Sequence, residues 1–135
     1  MKNLIFFSLM VLTSGLISWV PVHPISPAPI WEKLGERRVK YGLDHDEILV
    51  TRMEGNFTAI KLLIKKAPVN FHRLVVHFAT GGIQEVELRN EIPAGGETRV
   101  IDLRGGDRII RKVVFWYDTK NTAGARAEVE LWGRH

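Results

Sequence analysis

Acyl transfer by an activated side chain needs a serine or a thiolate beside a base. This chain has no cysteine, and no serine follows Ser26. Beyond that point only Thr51, Thr58, Thr80, Thr98, Thr119 and Thr122 carry hydroxyls of that type. A serine or cysteine hydrolase is excluded, and so are disulfide frameworks and thiolate metal sites. His72 and His77 are the histidines that fall inside strand-like sequence. In an extended strand an odd spacing of five sends their imidazoles to opposite faces, so they share a metal only if a bulge intervenes. Asp44, Asp46 and Glu47 form the densest acidic cluster, in an expected loop. Calcium takes six to eight oxygens, and the helical calcium loop adds a glycine and a distal glutamate that are missing here. Bonding of an aspartate to its own turn backbone accounts for such a cluster equally well. Asp102 and Glu130 could serve a two-carboxylate glycosidase, but no paired motif surrounds them. No catalytic residue, metal ligand or cofactor is therefore assigned.

Two other groups suit binding. Arg99, Arg104, Arg108, Arg111 and Lys112 place five positive charges within fourteen residues, interrupted by Asp102 and Asp107. A guanidinium is a better fork for carboxylate or phosphate than an ammonium. Trp116 and Trp132 are singled out by parity. In the last expected strand Val129 and Leu131 face inward, which sends Trp132 to the wet face with Arg126, Glu128 and Glu130. The strand before it is apolar on both sides, with Ile109, Val113, Phe115 and Tyr117 on one and Ile110, Val114 and Trp116 on the other. Something must cover the second side, and an indole on a sandwich surface suits a sugar ring or a protein partner.

These residues are carried by strands. From Trp31 onward, short runs rich in Val, Ile, Leu and Phe alternate with Gly, Asn and Asp clusters, which predicts about eight strands, near 33–40, 46–53, 57–65, 69–79, 83–89, 97–103, 108–118 and 125–133. The pairs Gly81-Gly82, Gly95-Gly96 and Gly105-Gly106 each sit between two runs and read as turns. Phosphate-cradling loops would need a helix after them, and none is expected. Ile60, Leu62 and Ile64 share a face, as do Leu74, Val76 and Phe78, with polar residues between. One dry and one wet face on that many strands requires two packed sheets or a barrel. The expected fold is all-β, an antiparallel jelly-roll-like β-sandwich over residues 31–135.

Ahead of it, Met1-Lys2-Asn3 and the apolar run Leu4 to Val20 match a signal peptide. The run also approaches the span of a membrane helix, so residues 1–20 are a cleaved signal or an anchor helix made of residues 4–20. Pro21, Pro24, Pro27 and Pro29 make residues 21–30 an extended spacer. The domain is thus expected to be exported, periplasmic or extracellular, touching membrane only through that segment. All 15 acidic and 18 of the 19 basic residues lie after position 30, which leaves a charge of +3. Bases interleaved with acids make no dense stripe, and nucleic acid is not an expected partner.

The stretch Asn90-Glu91-Ile92-Pro93-Ala94-Gly95-Gly96-Glu97-Thr98-Arg99-Val100-Ile101-Asp102-Leu103, followed by Arg108-Ile109-Ile110, Val113-Val114-Phe115-Trp116-Tyr117 and Val129-Glu130-Leu131-Trp132-Gly133, resembles a bacterial family of small exported β-sandwich proteins of unknown function. Leu34-Gly35 fits it too. The resemblance implies a periplasmic or secreted sandwich and brings no activity, ligand or catalytic residue. The expectation is a non-enzymatic binding module for a carbohydrate or another cell-envelope component, through Trp116, Trp132, Arg99 and Arg111. The alternative is an interaction or assembly protein that meets a partner through a sheet face.

Overall fold

The computed structural model describes residues 30–40, 42–119 and 126–135. The signal or anchor segment 1–20, and the spacer up to residue 29, lie outside the described residues. The described residues form nine antiparallel strands: β1 (Trp31–Arg38), β2 (Gly42–Leu49), β3 (Asn56–Phe57), β4 (Ala59–Lys65), β5 (Val69–Phe78), β6 (Ile83–Ile92), β7 (Ile101–Asp102), β8 (Arg108–Thr119) and β9 (Glu128–Arg134). Sheet I has the order β1-β9-β4-β7, and sheet II the order β2-β8-β5-β6, with β3 also paired to β8.

The alternation of side chains decides which face of each sheet is dry. On β4, Ile60, Leu62 and Ile64 are fully buried, and on β5, Leu74, Val76 and Phe78 face them from the other sheet. The largest buried side chains, Phe57, Phe71, Phe115 and Tyr117, fill the layer between the sheets. The glycine pairs form turns as expected. Gly95 and Gly105 take φ of 84° and 85°, values that cost a Cβ-bearing residue dearly.

Where strands depart from expectation, a side chain or bulge is responsible. The strand expected over 97–103 shrinks to β7 with one isolated bridge, Leu63 to Glu97, because Thr98 turns inward and its hydroxyl accepts the Leu62 N–H at 3.0 Å. The run 57–65 divides at Thr58, whose N–H donates to the Arg134 carbonyl, so β3 serves sheet II and β4 serves sheet I. Residues 52–54 form a single 3-10 turn in place of strand.

The doubly apolar reading of β8 is corrected by a bulge. Between His77 and Phe78 of β5 the partner jumps from Lys112 to Ile110, leaving Arg111 without a partner on β5. The bulge reverses parity, so Ile110 joins Val113, Phe115 and Tyr117 in the core, and Ile109 is turned outward. On the outer side only Val114 and Trp116 remain, and Val114 is itself buried between Val75 and Glu47 of the flanking strands.

Tyr117 ties the two sheets' connecting backbone together. Its hydroxyl donates to Asp46 Oδ2 at 2.7 Å and accepts the Lys40 N–H at 2.9 Å. Burial, then the bond to Asp46, pushes the phenol well above its ordinary pKa of 10.0. Since the folded value is the raised one, its stabilisation is complete below pH 10 and is lost as pH rises beyond it. Tyr117→Phe is expected to cost about 1–2 kcal/mol and to flatten the decline above pH 10, as read by urea midpoints at pH 7 and 10.5.

Candidate functional site

The two tryptophans lie on opposite outer surfaces. Trp116 falls between the core residues Phe115 and Tyr117 on sheet II, and Trp132 between Leu131 and Gly133 on sheet I. They do not form one site. The Trp116 ring is not an open platform. Trp116 is flanked by Arg73 from β5, whose guanidinium lies 3.9 Å over the ring, and by His45 from β2, stacked at 5.8 Å and 24°.

On sheet I the parity of Trp132 is as expected, but the face is not wet at its centre. Glu130 is 1% exposed. Its carboxylate accepts Lys33 and Lys65, each at 3.0 Å, and the Trp132 indole N–H at 3.1 Å. Burial pushes its pKa up, but those bonds together outweigh burial and hold it below the ordinary carboxylate value. Asp102, the other carboxylate considered, is exposed on β7 and paired with Arg134. The two therefore occupy different environments, one sealed and one open.

The basic cluster is dispersed. Arg99 donates to the Glu87 carbonyl at 2.9 Å, tethering the segment before β7 to β6. Arg108 lies 3.8 Å over Phe78 and donates to the Arg104 carbonyl and the Thr80 hydroxyl. Lys112 pairs with Glu47, while Arg111 is the exposed residue of the β8 bulge. The acidic cluster lies in β2 and not in a loop, with Asp44 and Asp46 on one face and Glu47 on the other. Asp46 accepts Tyr117, and Asp44 caps the His45 N–H.

A concave feature lies on the outer face of sheet II. Between Phe71 and Arg73 the register shifts against both neighbours, β6 and β8. His72 is the unpaired residue, and opposite it Leu88 and Arg89 drop out of the ladder, with Arg89 at φ 43°. Positive φ at a residue with a Cβ stores strain, a feature that gathers at functional sites. The two irregularities open a notch of about 460 Å³ lined by Asn70, His72, Arg73, Glu87 and Arg89. It adjoins a smaller polar pocket of about 110 Å³ lined by Pro68, Asn70, Glu91 and Asp118.

The same bulge corrects the histidine parity. His72 sits beside Arg73 on the solvent side, as does His77 two ladder positions past Val75. Five residues of strand still separate them by about 15 Å, too far for one metal. His72 Nε2 lies 2.9 Å from Asp118 Oδ2 but at an angle that makes no hydrogen bond. Asn70 Nδ2 donates to the same oxygen at 3.1 Å. Burial, with Lys112 and Arg111 nearby, holds the His77 pKa below the ordinary imidazole value. Guanidinium, amide, imidazole and carboxylate around one hollow can donate to and accept from a polyhydroxylated ligand on several sides. Among the described residues no three His, Asp or Glu side chains converge as a metal site.

Asn70, Arg73, Arg89 and Asp118 were not anticipated. The signal was present: the inward residues Val69 and Phe71 are followed by Leu74, Val76 and Phe78, and an odd step between inward residues marks a bulge.

A family model described as a domain of unknown function, DUF2541, matches residues 6–133. The chain belongs to the DUF2541 family. The match to DUF2541 takes in both sheets and every residue of the notch. No curated protein and no solved structure matches this DUF2541 chain.

Arg73→Ala uncovers one face of Trp116, and because a half-exposed cation–π pair is worth about 0.5–1 kcal/mol, stability is expected to fall by no more than that. The emission of Trp116 is expected to shift toward that of a wetter indole, measured as the difference between R73A and the R73A/W116F double variant.

Proposed function

We propose that this DUF2541 protein is an exported, non-catalytic module that binds a carbohydrate or another cell-envelope component in the notch on sheet II. The observation that carries this reading is the coincidence of the β5 and β6 irregularities with a strained Arg89 and with polar groups of several kinds around one hollow. The strand order supports a jelly roll. Successive strands β1, β2, β4 and β5 alternate between the sheets, and the last pair, β8 and β9, inserts beside β2 and β1, as a double Greek key requires. Jelly rolls are used widely for sugar binding, an analogy of fold that raises the prior without assigning a ligand. The apolar leader supports export. Of the four residues first considered, Trp116 adjoins the notch through Arg73, and Arg99 bonds the backbone of its Glu87.

The test is a titration with chito-oligosaccharides and peptidoglycan fragments, read by tryptophan fluorescence. The expected result is a saturable change that survives Trp132→Phe and disappears in Trp116→Phe. A change carried by Trp132, or none with any fragment, contradicts the proposal.

A further inference from the structure

The long strands at the sheet margins differ in how they are protected. The β1 ladder breaks at Lys33 and Gly35, and that of β6 breaks opposite His72, where Arg99 also donates to the nearby Glu87 carbonyl. Bulges and covering side chains of this kind blunt an edge against pairing. β2 is unbroken: it keeps eight consecutive pairs with β8, and no strand among the described residues lies on its other side. The Val50 N–H donates to the Arg111 carbonyl and the Gly42 N–H to Thr119 Oγ1, so the even-numbered residues of β2 turn their backbone groups toward β8. Alternation turns those of Leu43, His45, Glu47 and Leu49 to the open side. Asp44 Oδ1 accepts the His45 N–H at 2.8 Å, a local cap that an incoming strand displaces.

The side chains of the same four residues are exposed, Leu43 and Leu49 at 80% and 67%. Their order, apolar, imidazole, carboxylate, apolar, is its own complement when read backwards. We infer that β2 pairs antiparallel with β2 of a second copy of this chain, about a two-fold axis at Asp46, joining the two copies of sheet II into one. Leu43 then lies opposite the partner's Leu49, and His45 opposite the partner's Glu47, matched pairs of the kind that stabilise neighbouring strands. A slip of two residues either way sets Glu47 or His45 against its own copy and a leucine against a polar side chain, so one register is favoured. At the axis Asp46 meets its copy, but each carboxylate is turned inward, accepting the Tyr117 hydroxyl at 2.7 Å with Arg37 Nε at 3.8 Å. Both notches open on one face of the joined sheet, about 24 Å apart across five strand spacings.

The chain has no cysteine, so single introduced thiols report the register. Leu43→Cys and Leu49→Cys are made in the full chain and oxidised separately and mixed; both positions are exposed, so neither change touches the core. The mixture is expected to form a disulfide dimer, because paired Cα atoms lie about 5.5 Å apart. Either variant alone is expected to form at least tenfold less, because its identical thiols stand about 20 Å apart. Glu47→Pro removes an outward N–H that β8 does not use, and is expected to raise the dimer dissociation constant tenfold or more in sedimentation equilibrium. Leu49→Lys, a change of an exposed side chain, is expected to weaken the dimer in the same direction and guards against a proline that disturbs β2. A parent chain that sediments as a monomer up to millimolar concentration overturns the pairing. So does crosslinking of one variant alone that equals that of the mixture. Association undiminished in both Glu47→Pro and Leu49→Lys overturns it too, by placing the contact on another part of the chain.

Discussion

Gly133→Ala is expected to lower stability by about 3 kcal/mol, the upper end of the range for overpacking a tight core. A Cβ at this position would stand 2.6 and 2.9 Å from Phe57 ring carbons and 2.9 Å from Leu34 Cδ1. Phe57 is fully buried and Leu34 nearly so, so neither can retreat without disturbing the layer between the sheets. The melting temperature should fall on the order of 15 °C for a domain of roughly 105 residues. The control is Gly82→Ala, whose new Cβ would meet nothing closer than 3.9 Å at a φ that alanine tolerates. It is expected to stay within about 0.5 kcal/mol of the parent. Equal melting temperatures for G133A and G82A would show that β9 does not approach Phe57 as described.

The second large effect belongs to Glu130. Removing it by Glu130→Ala leaves Lys33 and Lys65 without their shared acceptor and the Trp132 indole N–H without a partner. A pair buried on both sides would cost about 3–5 kcal/mol to break in this way. Here the lysine side chains are 39% and 51% exposed and can turn into water, which reduces the expected loss to about 2 kcal/mol. Glu130→Leu should cost less than Glu130→Ala, since it sits opposite Leu63 and refills the space. The carboxyl is held below its ordinary 4.5 in the folded state, so its stabilisation is present above that value and is lost as pH falls through the folded pKa. The gap between parent and Glu130→Gln should therefore be full at pH 7 and narrow near pH 3.5 in urea unfolding. A gap that does not change with pH would assign the loss to packing alone.

Much of the fold was legible because period-2 alternation is strong wherever one face is dry: β4, β9 and the second half of β5 lie almost where the pattern of Ile60-Leu62-Ile64, Val129-Leu131 and Leu74-Val76-Phe78 put them. The pattern is blind to a slipped register. A bulge at Arg111 exchanged the faces of Ile109 and Ile110, and one at His72 brought a histidine expected on the opposite face into line with Arg73. Burial of Glu130 was illegible for another reason. Parity tells which face a residue takes, but not that β9 is a central strand whose outer face is roofed by the lysines of β1 and β4. The candidate site fared worst, since Trp132 and Arg111 stand apart from the notch, Arg99 meets only the backbone of Glu87, and Trp116 reaches it only through the stacked Arg73.

The central claim, that recognition occurs in the notch between β5 and β6, is tested most directly by mapping amide and indole chemical shifts of the ¹⁵N-labelled protein as glucosamine dimer and peptidoglycan fragments are added. The account predicts that shifts concentrate at Asn70, His72, Arg73, Arg89, Asp118 and the Trp116 indole. Shifts centred on Lys33, Lys61 and the Trp132 indole, on the far surface of sheet I, would contradict it.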